Sequence, residues 1–221
     1  MNKHPFPDNE EGRINKLEFL DLLDLGKDPE LDVFAEGASL IAGCPVSLIS
    51  VMTKDSQNIN SCVGLLLDSV NRQDTVCQYV IASKETLIIN DTLLDERSAN
   101  NAVVLEAGIR FYLGIPLLDG DGFVLGTLCV IDYEPKQLSD YQIATLQKMG
   151  DAVTKFLISK KKNVQAEYFE QTFNITNNLI CVLDAKFNLK DLNPAFEGAL
   201  QLNKDQALHQ NFLNVLGNNN T

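Results

Sequence analysis

The sequence predicts an α+β fold in which helices cover both faces of a β-sheet. Residues 110–132 carry the main observation, because two apolar runs flank the tetrapeptide Asp-Gly-Asp-Gly at 119–122. Asp and Gly tolerate positive φ, so the chain is predicted to reverse there and to form a β-hairpin. Both arms are apolar at nearly every position, which is typical of strands buried on both faces. The remaining chain is therefore expected to cover this hairpin.

The N-terminal part of the sequence predicts an arm and two helices. Residues 1–12 are polar and contain two prolines, so we expect a flexible arm. The spacing of apolar residues over 13–25 predicts an amphipathic helix. Asp28 and Pro29 predict the start of a second helix, because Asp is a good N-cap and Pro suits the first helical position. Gly43 is expected to end that helix as a C-cap.

Short strands and helices are predicted between the second helix and the central hairpin. Apolar runs bounded by turn residues indicate the strands, and the polar stretch before the hairpin carries short helical patches. In chain order, we predict a strand over 46–52, a partner strand over 58–63, a helix over 75–83 capped by Asp74, a strand over 85–90, and helical patches over 93–97 and 103–107.

A long helix is predicted after the central hairpin. Ser139 and Gln142 have the spacing of a capping box. Apolar residues then recur at alternating spacings of three and four, close to a heptad seam, at Ile143, Leu146, Met149, Val153, Phe156 and Leu157. The helix could continue past Lys162 through Val164, Tyr168 and Phe169. Two interpretations stay open, a helix packed on its own sheet and a homodimer seam over 139–170.

Composition and charge exclude several classes of protein. The 221 residues are 45% hydrophobic and 22% charged, which is ordinary for a globular protein. A formal net charge of −12 disfavours nucleic acid and anionic membranes as partners, because phosphates need clustered Lys and Arg. No apolar run approaches the ~20 residues of a membrane-spanning helix, and no signal sequence is present, so we expect a cytoplasmic protein. Five scattered cysteines without a Cys-x-x-Cys pair predict neither disulfides nor a metal site.

The central hairpin also resembles a family signature. The strings Ile-Arg-Phe-Tyr-Leu-Gly-Ile-Pro-Leu at 109–117 and Leu-Gly-Thr-Leu-Cys-Val-Ile-Asp at 125–132 are similar to the signature of GAF domains in bacterial sensor proteins. The resemblance extends over roughly residues 10–158, and we assign 13–158 to the domain. It implies a central antiparallel sheet of about six strands between helices, which the predicted order of elements fits.

The residues after 172 begin a different pattern. A strand over 179–183, a turn, a strand over 189–192 and an Asn-Pro helix start resemble the front half of a PAS domain. We assign 159–172 to a helical linker and 173–221 to this partial domain. Because ~50 residues make a marginal core, we expect the domain to be cut short and an output domain to lie outside this chain.

The GAF resemblance implies a sensory or regulatory module of a signal-transduction protein. GAF domains occur in histidine kinases, diguanylate cyclases and phosphodiesterases, so a two-component or cyclic-dinucleotide system is implied. The small-molecule pocket of the family maps to residues 74–112. Candidate polar contacts with a ligand are Cys77, Asp91, Asn101, Arg110 and Tyr112. The alternatives are an ion pair with Asp91 or Glu106 for Arg110, and core packing for Tyr112.

The chain departs from two ligand-binding patterns of the family. It contains Asp95 and Glu96 but lacks the Asn-Lys and Phe that cyclic-nucleotide-binding members place ahead of such a pair, so cyclic GMP is unsupported. Bilin-binding members pair a Cys with a His, whereas His4 and His209 lie beside no cysteine. The cofactor therefore stays unknown.

The resemblance also includes one enzyme, free methionine sulfoxide reductase. Its chemistry needs a nucleophilic cysteine and a resolving thiol, which recaptures the sulfenic acid. Cys77 lies near one expected position, but residues 101–108, where another is expected, contain no cysteine. We therefore interpret Cys77 as a core residue at a helix start. No catalytic triad, phosphate-binding glycine loop or kinase motif occurs, so no enzymatic activity is predicted.

Three hypotheses of function follow from the sequence. In the first, a ligand or partner binds the domain and the change passes through helix 139–170 to a downstream domain, which requires two states that bind the ligand unequally. The second is a structural dimerisation module with a filled core, and the third is the thiol enzyme. A lined cavity beneath residues 91–108 would favour the first, whereas bulky side chains in that space would favour the second.

Overall fold

The computed structural model describes residues 5–201 and 203–217, apart from the side chains of residues 162–167, 200 and 217. The chain divides into two compact units. The first ends at Lys161, and the second begins at Lys162.

The first unit contains a single sheet and the helices around it. Its elements are α1 (Glu10–Phe19), α2 (Pro29–Ala42), β1 (Val46–Met52), β2 (Ser56–Val63), β3 (Ser69–Asn71), α3 (Cys77–Ser83), β4 (Leu87–Ile89), α4 (Ala102–Glu106), β5 (Phe111–Leu118), β6 (Val124–Asp132) and the start of α5 (Asp140–Ile175). A 3₁₀ turn, Arg72–Asp74, precedes α3. The α+β fold is confirmed.

The sheet has six antiparallel strands in the order β3-β2-β1-β6-β5-β4. The predicted central hairpin is β5–β6, and both arms lie in the interior of the sheet. Its turn depends on Asp119, whose Oδ1 accepts hydrogen bonds from the amides of Asp121 (2.9 Å) and Phe123 (2.8 Å). Gly122 has φ +86°, a conformation that side chains disfavour. The sequence-based prediction of this hairpin and its turn is confirmed.

Apolar residues are buried on both faces of the sheet. On one face, α2 and α5 pack against Ile49 and Val51 of β1 and Leu113 and Leu117 of β5. On the other face, α3 and α4 pack against residues of β1, β2, β5 and β6, namely Leu48, Ile59, Tyr112, Cys129 and Ile131. Full burial of one such aliphatic side chain stabilises the fold by about 1.5–3 kcal/mol. This two-sided burial explains why the central arms are apolar at consecutive positions.

The caps predicted for α2 and α5 are present. The carboxylate of Asp28 accepts a hydrogen bond from the Glu30 amide at 3.1 Å, and Gly43 ends α2 with φ +61°. At the start of α5, the Ser139 hydroxyl accepts from the Gln142 amide at 3.3 Å, while the Gln142 side chain accepts from the Ser139 amide at 3.0 Å. Side-chain caps satisfy amides that have no partner within the helix.

The first part of α5 packs on its own sheet. Leu146, Val153 and Leu157 are buried in the core. Gly150 allows a close approach to β5, because a Cβ atom there would lie 2.7 Å from Cγ2 of Ile115. The helix continues to Ile175, as the apolar pattern predicts, although the side chain of Val164 lies outside the described residues.

Three of the helix predictions differ from the structure by more than one residue. Helix α1 begins at Glu10, inside the predicted arm, and ends at Phe19 because the chain turns at Asp21 with φ +54°. Residues 93–97 form turns rather than a helical patch. The Asp95 carboxylate accepts a hydrogen bond from the Arg97 amide at 2.9 Å, which favours a turn over a helix.

The third difference concerns the start of α3. The helix begins at Cys77 rather than at Thr75, and Asp74 does not cap it. Thr75 keeps an extended backbone, and its hydroxyl accepts a hydrogen bond from the Cys77 amide at 3.2 Å. Thr75 therefore takes the place that the sequence suggested for Asp74.

The second unit contains a two-stranded sheet and short helices. After the end of α5 come β7 (Cys181–Leu183), β8 (Leu189–Leu192), α6 (Pro194–Leu200), α7 (Lys204–Ala207) and α8 (Phe212–Gly217). Asn193 caps α6 by accepting a hydrogen bond from the Phe196 amide at 3.1 Å. The small core of the second unit contains Leu189, Leu192, Phe196, Ala207 and Val215. The likeness of this unit to a PAS domain stays a prediction.

Among the described helices of both units, none is long and apolar enough to cross a lipid bilayer.

Candidate functional site

A cavity of about 510 Å³ lies between one face of the sheet and the segment that carries α3 and α4. The sheet supplies its floor through Leu48, Ile59, Tyr112, Cys129 and Ile131. The 3₁₀ turn and the start of α3 form one wall, and α4 contributes Val103, Val104 and Ala107. Nine of the lining residues belong to the segment 74–112 that the family resemblance indicated, and the others come from residues 65–71 and from the strands beneath.

Three successive leucines stand at the edge of this cavity. Leu65, Leu66 and Leu67 follow β2 and contribute to its lining. Leu66 is fully exposed, and its two neighbours are half-buried. Grouped exposed apolar side chains of this kind are typical of binding surfaces.

A polar cluster interrupts the apolar floor of the cavity. Cys77 Sγ accepts a hydrogen bond from the Tyr112 hydroxyl at 3.1 Å and another from Gln57 Nε2 at 3.2 Å. The Thr75 hydroxyl donates to Gln57 Oε1. Gln57 Nε2 also donates a hydrogen bond to Ser50 Oγ at 2.8 Å. Strand β2, strand β5 and the start of α3 therefore meet at one sulfur atom.

Gly114 makes room for the ring of Tyr112 above the sheet. A Cβ atom at this position would lie 2.2 Å from the Tyr112 hydroxyl oxygen and 2.8 Å from Cγ2 of Val80. Both distances are too short for ordinary packing, so only glycine lets the ring lie along β5 and reach Cys77. The sequence motif that carried the family resemblance thus contains the residue that orients the tyrosine.

Hydrogen bonds lower the pKa of the Cys77 thiol. Cys129 contributes most, burial opposes the change, and Thr127 and Tyr112 add to the lowering, so the pKa falls from 9.0 to about 6. The bond to Cys77, together with burial, raises the pKa of Cys129 well above its usual value. Burial and the nearby Cys77 likewise raise the pKa of Tyr112. The cluster thus favours a thiolate at Cys77, surrounded by protonated neighbours.

Three of the predicted site residues lie at or beside the cavity. Cys77 and Tyr112 line it directly. Asn101 supports its wall, because Oδ1 accepts from the Val104 amide at 3.1 Å and Nδ2 donates to the Asp74 carbonyl at 3.0 Å. Asn101 thereby connects α4 to the 3₁₀ turn.

The other two predicted site residues form an ion pair away from the cavity lining. Arg110 donates to both oxygens of Asp91, from Nη2 at 2.7 Å and from Nε at 3.1 Å. This is one of the alternatives that the sequence suggested for Arg110. The pairing lowers the pKa of Asp91 and raises that of Arg110.

The sequence does not indicate Gln57, Thr75 or Cys129 as members of the polar cluster. The predicted strand over 58–63 begins just after Gln57, and the predicted helix over 75–83 includes Thr75, whose backbone is extended in the structure. The sequence analysis expects a second thiol within residues 101–108, whereas Cys129 lines the cavity together with Cys77. No local pattern indicates these residues, because they meet only after the strands pair.

The cavity offers no cationic side chain and no cluster suited to a metal ion. Among the described residues of its lining, none is Lys, Arg or His, and Asp74 is the acidic one. Within the described part of the chain, no group of three or more His, Cys, Asp or Glu residues could hold a metal ion.

Comparison with curated proteins finds a relative that matches about two thirds of this chain. A cyclic di-GMP phosphodiesterase of Pseudomonas aeruginosa is 34% identical over 155 residues. The match covers 69% of this chain but only 26% of that protein, so the chain spans about a quarter of the length of this relative.

Solved structures share the fold at low sequence identity. The GAF domain of an Acinetobacter phosphoenolpyruvate-protein phosphotransferase superposes with a TM-score of 0.52 at 15% identity, over 73% of this chain and 99% of that one. A free methionine-R-sulfoxide reductase from Neisseria meningitidis gives 0.51 at 13% identity, over 70% and 91% of the two chains. The GAF domain family profile matches residues 30–155, which is more than half of the sequence. The chain therefore belongs to the GAF domain family.

Proposed function

We propose that this GAF domain is a cytoplasmic, non-catalytic sensory module that binds a small molecule in the cavity above β5 and β6. The cavity itself carries the proposal, because its volume of about 510 Å³ is typical of small-molecule sites, which measure ~300–1,000 Å³. A structural module with a filled core would have bulky side chains in this space. The cavity is the feature that favours sensing over that alternative.

The lining of the cavity indicates the chemistry of the ligand. Its walls are mostly aliphatic, and the described lining offers no cation to balance an anionic ligand. The protons of Gln57 Nε2, Thr75 and Tyr112 are already donated within the polar cluster. Lone pairs on Gln57 Oε1 and on the Tyr112 oxygen remain available as acceptors. We therefore expect a mainly apolar, uncharged molecule that carries one hydrogen-bond donor.

Strand β5 provides a short route from the cavity to α5. Tyr112 faces the cavity, whereas Ile115, three residues along the strand, contacts α5 at Gly150 on the other face of the sheet. A ligand that moves the Tyr112 ring would act on the strand that supports the helix. Such a relay requires two arrangements of the β5–α5 contact that bind the ligand unequally.

The similarity to a cyclic di-GMP phosphodiesterase supports a place in a cyclic-dinucleotide signalling system. The relative's name describes a protein about four times as long as the matched part, since the match covers 26% of it. We propose that this domain regulates such an activity rather than performing it.

Exposed aromatic residues support dimerisation through the later part of α5. Tyr168 and Phe169 are 73% and 55% exposed, and Phe169 stacks on Phe173 with ring centroids 5.3 Å apart. Light scattering of the whole chain tests this proposal. A dimer that Phe169→Lys converts into a monomer would support it, and a monomeric native protein would contradict it.

Native mass spectrometry of freshly purified protein tests ligand binding. Ala107 lies exposed at the mouth of the cavity, so Ala107→Trp should block entry without disturbing the core. Leu105→Trp is the matched control, because Leu105 lies exposed on α4 outside the cavity lining. We expect a bound molecule in the native protein and in the control, and none in Ala107→Trp. Equal occupancy in all three proteins would contradict binding at this site.

A thiol reductase is the second candidate, and the presence of both Cys77 and Cys129 in the cavity lining favours it. The two thiols could act as nucleophile and resolving partner. The described lining offers no cation for the carboxylate of free methionine sulfoxide, which argues against this substrate. Incubation with the sulfoxide and dithiothreitol tests the activity. We expect no methionine above the level of Cys77→Ser, and cysteine-dependent turnover would establish the enzyme instead.

A further inference from the structure

A second pocket, which shares Asn71 with the lining of the ligand cavity, is built around a buried arginine. It has a volume of about 380 Å³ and is lined by Phe6, Lys54, Asp55, Asn71, Arg72, Gln73 and Gln78. Arg72 belongs to the 3₁₀ turn before α3 and is only 3% exposed. A guanidinium buried to this extent normally has acceptors for its protons.

One edge of the Arg72 guanidinium has no hydrogen-bond acceptor. Nη1 donates to the Glu10 carboxylate and to the Thr53 carbonyl, the latter at 3.1 Å. The atoms Nε and Nη2 are buried and have no partner. An unsatisfied donor on a buried charged group is costly, so this edge is prepared for an acceptor that the fold itself does not supply.

The other arginines show what this edge binds. The sequence contains four arginines, all within the described residues. In Arg13, Arg97 and Arg110, the same two atoms donate to both oxygens of one carboxylate, at distances between 2.6 and 3.1 Å. Only the corresponding edge of Arg72 is empty. The planar fork of Arg suits carboxylates and phosphates in this bidentate manner.

The charges around Arg72 are unbalanced, with an excess of positive charge that an anion would neutralise. Arg13 is fully buried and shares Glu10 with Arg72, so two guanidinium groups face one carboxylate. Burial opposes ionisation of Glu10, but the hydrogen bonds from both arginines lower its pKa, so it already carries its full charge. Lys54 and Asp55 at the pocket are both exposed and offset each other. One buried positive charge therefore has no counterion.

An aromatic ring covers the Arg72 guanidinium. The Phe6 ring centroid lies 4.2 Å from Arg72 Cζ, within the range of a cation–π interaction. A ring face offers no lone pair to Nε or Nη2. Phe6 is 54% exposed and precedes α1 in a segment without regular structure, so the ring can move aside without disturbing the core.

We propose that Arg72 is a binding site for an oxyanion group, a carboxylate or a phosphate, which accepts hydrogen bonds from Nε and Nη2 when the Phe6 ring moves away. The anion occupies the edge that carboxylates occupy at the other three arginines. The Phe6 ring holds the guanidinium face while the site is empty. This site does not depend on the ligand proposed for the cavity above the sheet.

Side-chain ¹⁵N NMR of the whole chain tests the proposal with inorganic phosphate and acetate as probes, against chloride at equal ionic strength. We expect a saturable shift of the Arg72 Nε signal. Phe6→Ala should bind about two- to fivefold more tightly, because the anion no longer competes with the cation–π contact. Phe19→Ala is the matched control, since this exposed phenylalanine lies at the end of α1, outside the pocket.

Arg72→Lys keeps the positive charge but lacks the two parallel N–H donors of the guanidinium. This variant should therefore abolish the saturable shift, which is measured here on nearby backbone amides. If that variant does not fold, the comparison of Phe6→Ala with Phe19→Ala still decides the proposal. Saturation by phosphate alone or by acetate alone assigns the class of anion. Absence of saturation by both anions in the native protein and in Phe6→Ala overturns the site. Equal affinity in Phe6→Ala, Phe19→Ala and the native protein overturns the covering role of the ring.

Discussion

Replacing Tyr112 by Phe removes one hydroxyl from the floor of the cavity and leaves the aromatic ring in place. That hydroxyl donates to Cys77 Sγ at 3.1 Å. The bond stabilises the thiolate more than the thiol, so its loss should raise the pKa of Cys77 from about 6. A hydrogen bond to a charged group contributes about 1.5–3 kcal/mol, and one pKa unit equals about 1.36 kcal/mol, so the rise should be about one to two units.

We expect the pKa of Cys77 to rise by about one unit in Tyr112→Phe, the lower end of that range. The bond with Cys129 contributes more to the lowering than the bond with Tyr112, and it remains in the variant. Gln57 Nε2 also continues to donate to the sulfur at 3.2 Å. A rise of about one unit therefore corresponds to the loss of a single donor among several.

The ultraviolet absorbance of the thiolate, followed against pH in the folded protein, measures this pKa. Subtraction of the Cys77→Ser titration assigns the signal to one sulfur. Tyr133→Phe is the matched control, because Tyr133 lies 42% exposed and away from the cavity lining. A Cys77 pKa that is the same in Tyr112→Phe, in Tyr133→Phe and in the native protein would refute the hydrogen-bond geometry at the cavity floor.

Three further predictions concern stability. Gly114→Ala should destabilise the fold by about 1–3 kcal/mol in urea unfolding, because the added methyl group would overlap the Tyr112 hydroxyl, whereas Gly120→Ala, with nothing within 4 Å, should change little. Asp28→Ala should cost about 1 kcal/mol through loss of the α2 cap, and an unchanged denaturation midpoint would contradict that role. The folded pKa of Cys77 lies below its unfolded value, so its stabilising contribution is present above about pH 9 and is lost as the pH falls to about 6. The difference in unfolding free energy between native protein and Cys77→Ala should accordingly grow with pH over this range, and a pH-independent difference would contradict the shift.

The central hairpin and the capped helices were predictable because their signals are local. The Asp-Gly-Asp-Gly turn and the doubly apolar arms identify β5 and β6 without knowledge of any partner strand. Asp28, Gly43 and Ser139 act on backbone groups within a few residues, so their roles follow from the neighbouring sequence. These features are the ones that the structure confirms most closely.

The polar cluster could not be predicted because it depends on pairing between distant strands. Cys77 and Cys129 are 52 positions apart, and Gln57 reaches Cys77 only after β2 joins the sheet. The start of α3 was also misplaced, because Thr75 uses its hydroxyl both for Gln57 and for the Cys77 amide. The competition between a turn and a helix at Asp95 was decided by one side-chain hydrogen bond, which helix propensity does not reveal.

The space above Tyr112 is the central feature of the proposed function, and methyl NMR with benzene as a probe tests it most directly. Dry apolar cavities of sufficient size take up such small molecules. The proposal predicts saturable shifts of the methyl signals of Ile59, Val104 and Ile109, which line the cavity, and no such shifts in Ala107→Trp. Methyl signals that remain unchanged in the native protein, or that respond equally in Ala107→Trp, would contradict a ligand-accepting cavity in this domain.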